Sequence, residues 1–252
     1  MLLILRKFLL AILILVNSSF SFAVTQKPLD VAVLYFFPPF VMPSGNGGFS
    51  GFDISLVQNV CDSLQRVCNF RPMRFRDLIS SVETGQTDMA VSGLMITMSR
   101  LEHVHMSVPY MPSASRFVGR TEDKVKDFSI ESIKGKNIGV LEGTTFFEEL
   151  KGVGVGSLRI FQFKEENEQI SALDRKIIDY ILVDNVTAKY WQSHSNNKLV
   201  ALGEPMTFGL GYGIAVNPRN PDLLNDVNQA LKNYIGTVTF QQNMDIYFSN
   251  FE

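Results

Sequence analysis

The residues of this chain that could do chemistry stand singly, each just after a short apolar run. Arg100 closes Ser92-Gly93-Leu94-Met95-Ile96-Thr97-Met98-Ser99-Arg100, a small-residue turn leading to a hydroxyl and a guanidinium. A guanidinium fork clamps a carboxylate with two parallel hydrogen bonds, here with the Thr97 hydroxyl and the amides near Gly93 alongside it. Thr144 and Thr145 follow Glu142-Gly143, a glycine turn opening a helix whose free N–H groups suit an anion. Asp184 ends the run Asp179 to Val183 and offers a negative charge to an ammonium. Phe36-Phe37-Pro38-Pro39-Phe40 presents rings in a loop stiffened by proline, and Phe75 is a further ring. Cation for carboxylate, anion for ammonium and rings for a side chain together suit a zwitterion. Each residue also has a plain structural role. Arg100 is a solvated helix-start residue, Thr144 or Thr145 an N-cap, Asp184 a cap for the helix that follows, and Phe37 and Phe75 core rings.

Other chemical signals are thin. His103 and His105 flank Val104, with Glu102 beside them, but no third or fourth ligand follows, so no metal and no cofactor is expected. Gly152-Val153-Gly154-Val155-Gly156 lacks the Gly-Lys-Ser/Thr of a phosphate cradle, and there is no Gly-x-Ser-x-Gly elbow. Lys plus Arg number 23 against 25 Asp plus Glu, for a net charge of −2, and no block of like charge occurs. A nucleic-acid footprint is therefore not expected.

The elements that must position these residues alternate along the chain. Of the 252 residues, 46% are apolar and 19% charged, which excludes a disordered or multi-span membrane protein and allows one large domain or two small ones. Strands are predicted at Asp30 to Tyr35, Asp88 to Ser92, Asn137 to Leu141, Leu158 to Phe163, Asp179 to Val183 and Tyr212 to Val216. Another strand starts within Val67 to Phe70. Between them, helical patterns cover Asp53 to Leu64, Asp77 to Thr84 closed by Gly85, Thr145 to Lys151, Asn167 to Lys176 and Val186 to Ser193. Pro221 opens a helix to about Gly236, and the tail carries one more. This alternation predicts an α/β fold with mostly parallel sheets, whose ligand site lies beyond the carboxyl ends of the strands. No long linker intervenes, so two lobes would be joined by short crossings.

The first 23 residues read as a cleaved secretory signal: Arg6 and Lys7, the apolar run Phe8 to Val16, then Ser21-Phe22-Ala23 before a cut at Ala23/Val24. The uncharged stretch is short of the roughly 20 residues of a membrane span. Export permits a disulfide between Cys61 and Cys68, and two is the count that leaves no odd thiol; two buried thiols are the alternative. Seven residues of continuous helix rise about 10.5 Å. Bridged Cα atoms lie roughly 4.4–6.8 Å apart. A bridge therefore requires the helix to end between the two cysteines.

Several motifs fall in a family's order. Phe37-Pro38-Pro39-Phe40, Gly51-Phe52-Asp53, Gly85-Gln86-Thr87-Asp88, Ile96-Thr97-Met98-Ser99-Arg100, Pro109-Tyr110, Lys134-Gly135-Lys136, Gly143-Thr144-Thr145, Asp184 and Gly213-Ile214-Ala215-Val216 span nearly the whole mature chain. In that order they resemble the periplasmic amino-acid-binding proteins of ABC importers, solute-binding family 3. The Cys61/Cys68 spacing resembles the lysine/arginine/ornithine- and histidine-binding branch, which implies a disulfide. The resemblance implies two α/β lobes joined by two crossing strands, residues 24–113 with 208–252 and residues 114–207. Arg100 and Thr97 would hold the ligand carboxylate, helped by the backbone at Ser92, Gly93 and Thr145, with Thr144 in the same turn. Asp184, with Ser92, would take the ammonium, and Phe37, Phe75 and Met95 would line the side-chain pocket. The implied protein is a periplasmic monomer that closes on a free amino acid and delivers it to an inner-membrane permease, without catalysis. A few similar proteins are exported dehydratases acting on prephenate or arogenate, and that is the alternative.

Departures from the branch bear on the ligand. A position that is commonly acidic is Leu34, one often Glu is Val41, a pocket serine is Met95, and the usual Phe-Ser-Asp-Pro-Tyr is Met106-Ser107-Val108-Pro109-Tyr110. Lost acidity weakens the case for lysine or histidine. Arginine or another polar amino acid is favoured, because a flat guanidinium can stack between Phe37 and Phe75 without a counter-ion. An apolar amino acid stands close behind.

Overall fold

The protein is described by a computed structural model covering residues 27–45 and 47–249; the predicted secretory signal lies outside the described residues. The chain runs β1 (Leu29–Leu34), the hairpin β2 (Met42–Pro43) and β3 (Phe49–Ser50), α1 (Phe52–Ser63), β4 (Cys68–Met73), α2 (Phe75–Thr84), β5 (Met89–Ala90), α3 (Met98–Leu101) and β6 (His105–Met106). It continues through β7 (Ala114–Arg120), β8 (Asn137–Leu141), α4 (Phe146–Gly152), β9 (Arg159–Phe163), α5 (Glu166–Asp174), β10 (Tyr180–Asp184), α6 (Asn185–His194) and β11 (Leu199–Thr207). It ends with β12 (Ala215–Val216), α7 (Pro221–Tyr234) and α8 (Val238–Phe248).

Two five-stranded sheets result, ordered β4-β1-β5-β12-β6 and β11-β7-β10-β8-β9. In each, three adjacent strands are parallel, β4-β1-β5 and β10-β8-β9, and the remaining pairings are antiparallel. The parallel strands β1 and β10 lie inside their sheets and are buried almost throughout, which is why their sequences are near-continuous apolar runs. The chain leaves the first sheet after β6 and re-enters it at β12, so two crossings join the lobes.

Helix faces follow the predicted spacing. In α2, Phe75, Leu78 and Val82 are buried; in α7, Leu223, Val227, Ala230, Leu231 and Tyr234 are buried. The α7 start is fixed by Pro221 and by the Asn220 side chain, which accepts from the Leu223 amide at 3.1 Å. A long core runs through both lobes, and a smaller cluster of Val118, Ala172, Leu173, Ile178, Ile181, Val183, Ala188 and Leu199 sits in the second.

Cys61 and Cys68 are disulfide-bonded, with Cα atoms 6.0 Å apart. The geometric condition for this is met: α1 ends at Ser63, Gln65 takes φ 55°, and the chain turns into β4. Other boundaries moved for local reasons. The strand predicted over Asp88 to Ser92 is regular only at Met89–Ala90, and that predicted over Tyr212 to Val216 only at Ala215–Val216. Helix α5 stops at Asp174, short of the predicted Lys176, which takes φ 60°. Strands β7 and β11 had no clear period: Gly119 interrupts one, while Gly203, Glu204 and Pro205 accompany a register shift between Leu202 and Met206 in the other.

Candidate functional site

The carboxyl ends of β5 and β10 face each other across the two lobes, and the turn after β8 meets them there. A narrow cavity lies between, lined by Phe75, Gly93, Met95, Arg100, Thr144, Thr145, Phe146 and Asp184. It adjoins a larger cleft, also lined by Phe75, Arg100, Thr144 and Thr145 and additionally by Thr97, Arg76 and Glu148. Seven of the ten residues singled out for ligand binding thus line one cavity, and Thr97 lies in the cleft beside it. Neither Ser92 nor Phe37 lines the cavity: Phe37 packs on the Phe75 ring, and Ser92 is buried just before Gly93.

Arg100 is only 7% exposed. Helix α3 is one turn long, started by Thr97, whose hydroxyl accepts from the Arg100 amide at 3.4 Å. The guanidinium donates from Nη1 to the Met95 carbonyl at 2.8 Å and from Nη2 to the Gly143 carbonyl of the other lobe at 3.5 Å. It lies 5.5 Å from the centre of the Phe75 ring. Burial lowers its pKa to about 10, opposed by the charge of Asp184, so it remains a cation at neutral pH.

Asp184 is 1% exposed at the end of β10. Its Oδ1 accepts from the Tyr212 hydroxyl at 2.5 Å. Burial raises its pKa to about 7; the Tyr212 hydrogen bond and Arg100 pull it down, and Glu149 pushes it up. Asp184 stands at the N-cap of α6 without bonding the helix amides through its side chain, so the capping role is not what holds it.

The remaining site residues carry supporting bonds. The Ser92 hydroxyl accepts from the Leu34 amide at 2.9 Å, tying β1 to the turn. The Gly93 amide, expected to help hold the ligand carboxylate, donates instead to the protein's own Asp53 Oδ2 at 2.6 Å. Gly93 takes φ +55°, and a Cβ there would stand 3.0 Å from the Phe37 ring and 3.2 Å from the Phe40 ring. The Thr144 hydroxyl donates to the Leu141 carbonyl at 2.6 Å, and that of Thr145 to Met95 Sδ across the lobes at 3.4 Å. Neither threonine caps α4 through its side chain. The Phe37 and Phe75 rings have centres 5.9 Å apart and planes tilted by 58°. A flat group stacked between parallel rings needs two contact distances of about 3.5 Å or more. The expected slot for a flat group between Phe37 and Phe75 is therefore closed: the two rings pack on each other, and only Phe75 faces the cavity.

Three residues at this site were not singled out from sequence. Phe146, the first residue of α4, adds an apolar wall. Asp53 is fully buried, bound by the Gly93 amide and by the Tyr110 hydroxyl at 2.8 Å, with burial raising its pKa to about 7. Glu149 accepts from the Ser115 hydroxyl, its Oε2 has no partner, and burial raises its pKa to about 7. In sequence, Asp53 resembles an ordinary first-turn helix residue and Glu149 a solvated one. Only their burial shows otherwise.

The lobes are also joined at the rim. Arg76 Nη1 pairs with Glu142 at 3.1 Å, and the Thr187 hydroxyl donates to the Pro38 carbonyl at 2.8 Å. His103, by contrast, pairs with Glu83 on the surface of the first lobe.

The comparisons with known proteins agree with this two-lobed fold. The model of the bacterial extracellular solute-binding proteins, family 3, matches residues 29–250. The chain is 33% identical over 226 residues to the arginine-binding periplasmic protein of Mannheimia haemolytica, covering 86% of this chain and 90% of that one. It is 30% identical over 247 residues to the ABC transporter arginine-binding protein 1 of Escherichia coli strain K12, covering 96% and 99%. Among solved structures, an arginine third transport system periplasmic binding protein from Legionella pneumophila matches with a TM-score of 0.83 at 28% identity, over 88% of this chain and 99% of that one. Since the family match takes in both sheets and the cavity between them, the chain belongs to the bacterial extracellular solute-binding proteins of family 3.

Proposed function

We propose that the protein is the periplasmic receptor of an ABC amino-acid importer, closing two lobes on one L-amino acid and handing it to the permease. The observation that carries this reading is the placement of Arg100 and Asp184, a cation and an anion from opposite lobes, on one small cavity with otherwise largely apolar walls. The ligand carboxylate sits at Arg100 and the Thr145 end of α4, and the ammonium at Asp184. Its side chain lies against Phe75, Met95 and Phe146, with Phe37 behind. The lobes comprise residues 24–113 with 208–252, and residues 114–207. The leader is removed near Ala23, and the mature chain works as a monomer. The contacts Arg76–Glu142, Thr187–Pro38 and Arg100–Gly143 support closure as the step that buries the ligand.

The arginine-binding relatives support arginine as the ligand, its guanidinium held by ring faces. The test is a thermal-shift screen of residues 24–252, unfolded and refolded to strip ligand, against the twenty amino acids, ornithine, citrulline and prephenate. A shift with arginine and its relatives is expected, because only the folded state binds. A shift with prephenate alone, followed by its turnover, would replace the receptor with a dehydratase.

A further inference from the structure

Tyr212 lies just after the second crossing, in the first lobe, where its backbone bridges to Met95 and Met111. Its ring is 1% exposed and stacks on Tyr110, with centres 6.3 Å apart and planes at 25°. Its hydroxyl crosses to the second lobe and donates to Asp184 at 2.5 Å; a longer contact of 3.4 Å reaches the Ala114 carbonyl. Tyr110 makes the matching bond to Asp53, which in turn holds the Gly93 amide. Two stacked phenols thus brace one carboxylate in each lobe.

We infer that Tyr212 is a positioning residue for ligand binding, its hydroxyl fixing the Asp184 carboxylate so that the carboxylate is oriented and ionised to receive the ligand ammonium. This rests on the amino-acid reading above. Tyr212 does not line the cavity, so it acts through Asp184 and not by touching the ligand. Burial and the neighbouring Asp184 hold the phenol well above its ordinary value, so it is always the donor. The hydrogen bond favours the charged carboxylate against a desolvation that opposes it. The other groups facing Asp184 are Arg100 from α3, which favours ionisation, and Glu149 from α4, which disfavours it; Glu166 from α5 and Tyr110 are also within its field. Arg100 is already engaged with two carbonyls and is needed for the ligand carboxylate, so beside the backbone amide of Asp184 itself Tyr212 is the neutral donor to this carboxylate, and it comes from the opposite lobe.

The test is Tyr212→Phe, which keeps the ring and its stacking. Two readouts are taken on the full mature chain: the titration of Asp184 by carboxyl ¹³C NMR without ligand, and the pH dependence of amino-acid affinity by calorimetry. The midpoint of Asp184 is expected to rise by about one pH unit. Affinity at pH 7 is expected to fall about tenfold, the size of a lost hydrogen bond to a charged group, with the acid limb of the binding profile moving up in step. Tyr110→Phe removes an equally buried hydroxyl from the same stack and is expected to leave that limb in place. A fluorotyrosine introduced at Tyr212, a stronger donor, is expected to move it down, and decides the matter should the phenylalanine variant not fold. An unmoved Asp184 titration, or an unmoved limb in a variant that still binds, overturns the inference alone. Wild-type protein that binds no amino acid overturns the receptor reading and the inference with it.

Discussion

Arg100 keeps its charge at neutral pH although burial lowers it to about 10, whereas Asp184, raised to about 7, is divided between its two forms. Because the folded-state value of Asp184 lies above the 3.8 of a free aspartate, the folded chain holds a proton that the unfolded chain releases. Its ionisation therefore opposes folding as pH rises from about 4 to 7, and the full cost is present above that. Asp184→Asn is accordingly expected to raise the melting temperature at pH 8, worth roughly 2–4 kcal/mol, and to change it little at pH 4. The same substitution is expected to remove amino-acid binding, so melting curves and calorimetry should move in opposite senses. Arg100→Ala leaves a folded protein with at least a hundredfold loss of affinity, because a buried charge then loses its partner, at about 3–5 kcal/mol. Near-normal affinity in both variants would remove the proposed site.

The turn between β8 and α4 is where the two lobes come closest. Gly143 takes φ +86°, and a Cβ there would lie 2.4 Å from the Arg76 Cα, which is backbone of the other lobe and cannot swing aside. Gly143→Ala is therefore expected to hold the lobes apart, weakening ligand binding at least tenfold and leaving a larger radius of gyration with saturating ligand in small-angle scattering. Unchanged compaction would show that the lobes do not meet at this turn when ligand is bound. A second local device is the Cys61–Cys68 bridge, which ties the end of α1 to the first residue of β4. Closing so short a loop restricts the unfolded chain by roughly 2–3 kcal/mol. At about 2–4 °C per kcal/mol for a chain of this size, reduction should lower the melting temperature by about 4–12 °C. A melt unchanged by reductant would mean that the bridge adds nothing to stability.

Across the molecule, four buried carboxyls among the described residues, Asp184 included, behave alike. Burial raises Asp53, Glu149 and Asp184 to about 7 and Glu166 to about 8, each offset in part by a donor: Gly93 and Tyr110, Ser115, Tyr212 and Trp191. All four are raised, so each favours the protonated folded state, and stability should fall steadily as pH goes from about 5 to 8. Affinity should run the other way, since ionised Asp184 is the form that holds an ammonium. Melting temperature and dissociation constant measured over the same pH range would test both slopes. A melting temperature that rose toward pH 8 would place these carboxyls in better-solvated surroundings than their burial implies.

Much of the architecture could be read from short-range pattern. The buried run Leu29 to Leu34, the apolar spacing of α1 and α2, the stop at Gly85 and the start at Pro221 are all local signals, as is the requirement that α1 end before Cys68. The ordered motifs likewise pointed to Arg100, Thr145 and Asp184 as cavity residues. Strands β7 and β11 escaped because glycine, proline and charge break their period, and their place is set by pairing with each other and with β10. The commitment of the Gly93 amide to Asp53, the brace from Tyr212 to Asp184, the Phe146 wall and the closeness of the Phe37 and Phe75 rings were decided only by the tertiary structure. The reason is physical: periodicity reports which face of an element is buried. Which polar group meets which inside that burial depends on residues 28 to 40 positions apart and on the packing of one lobe against the other.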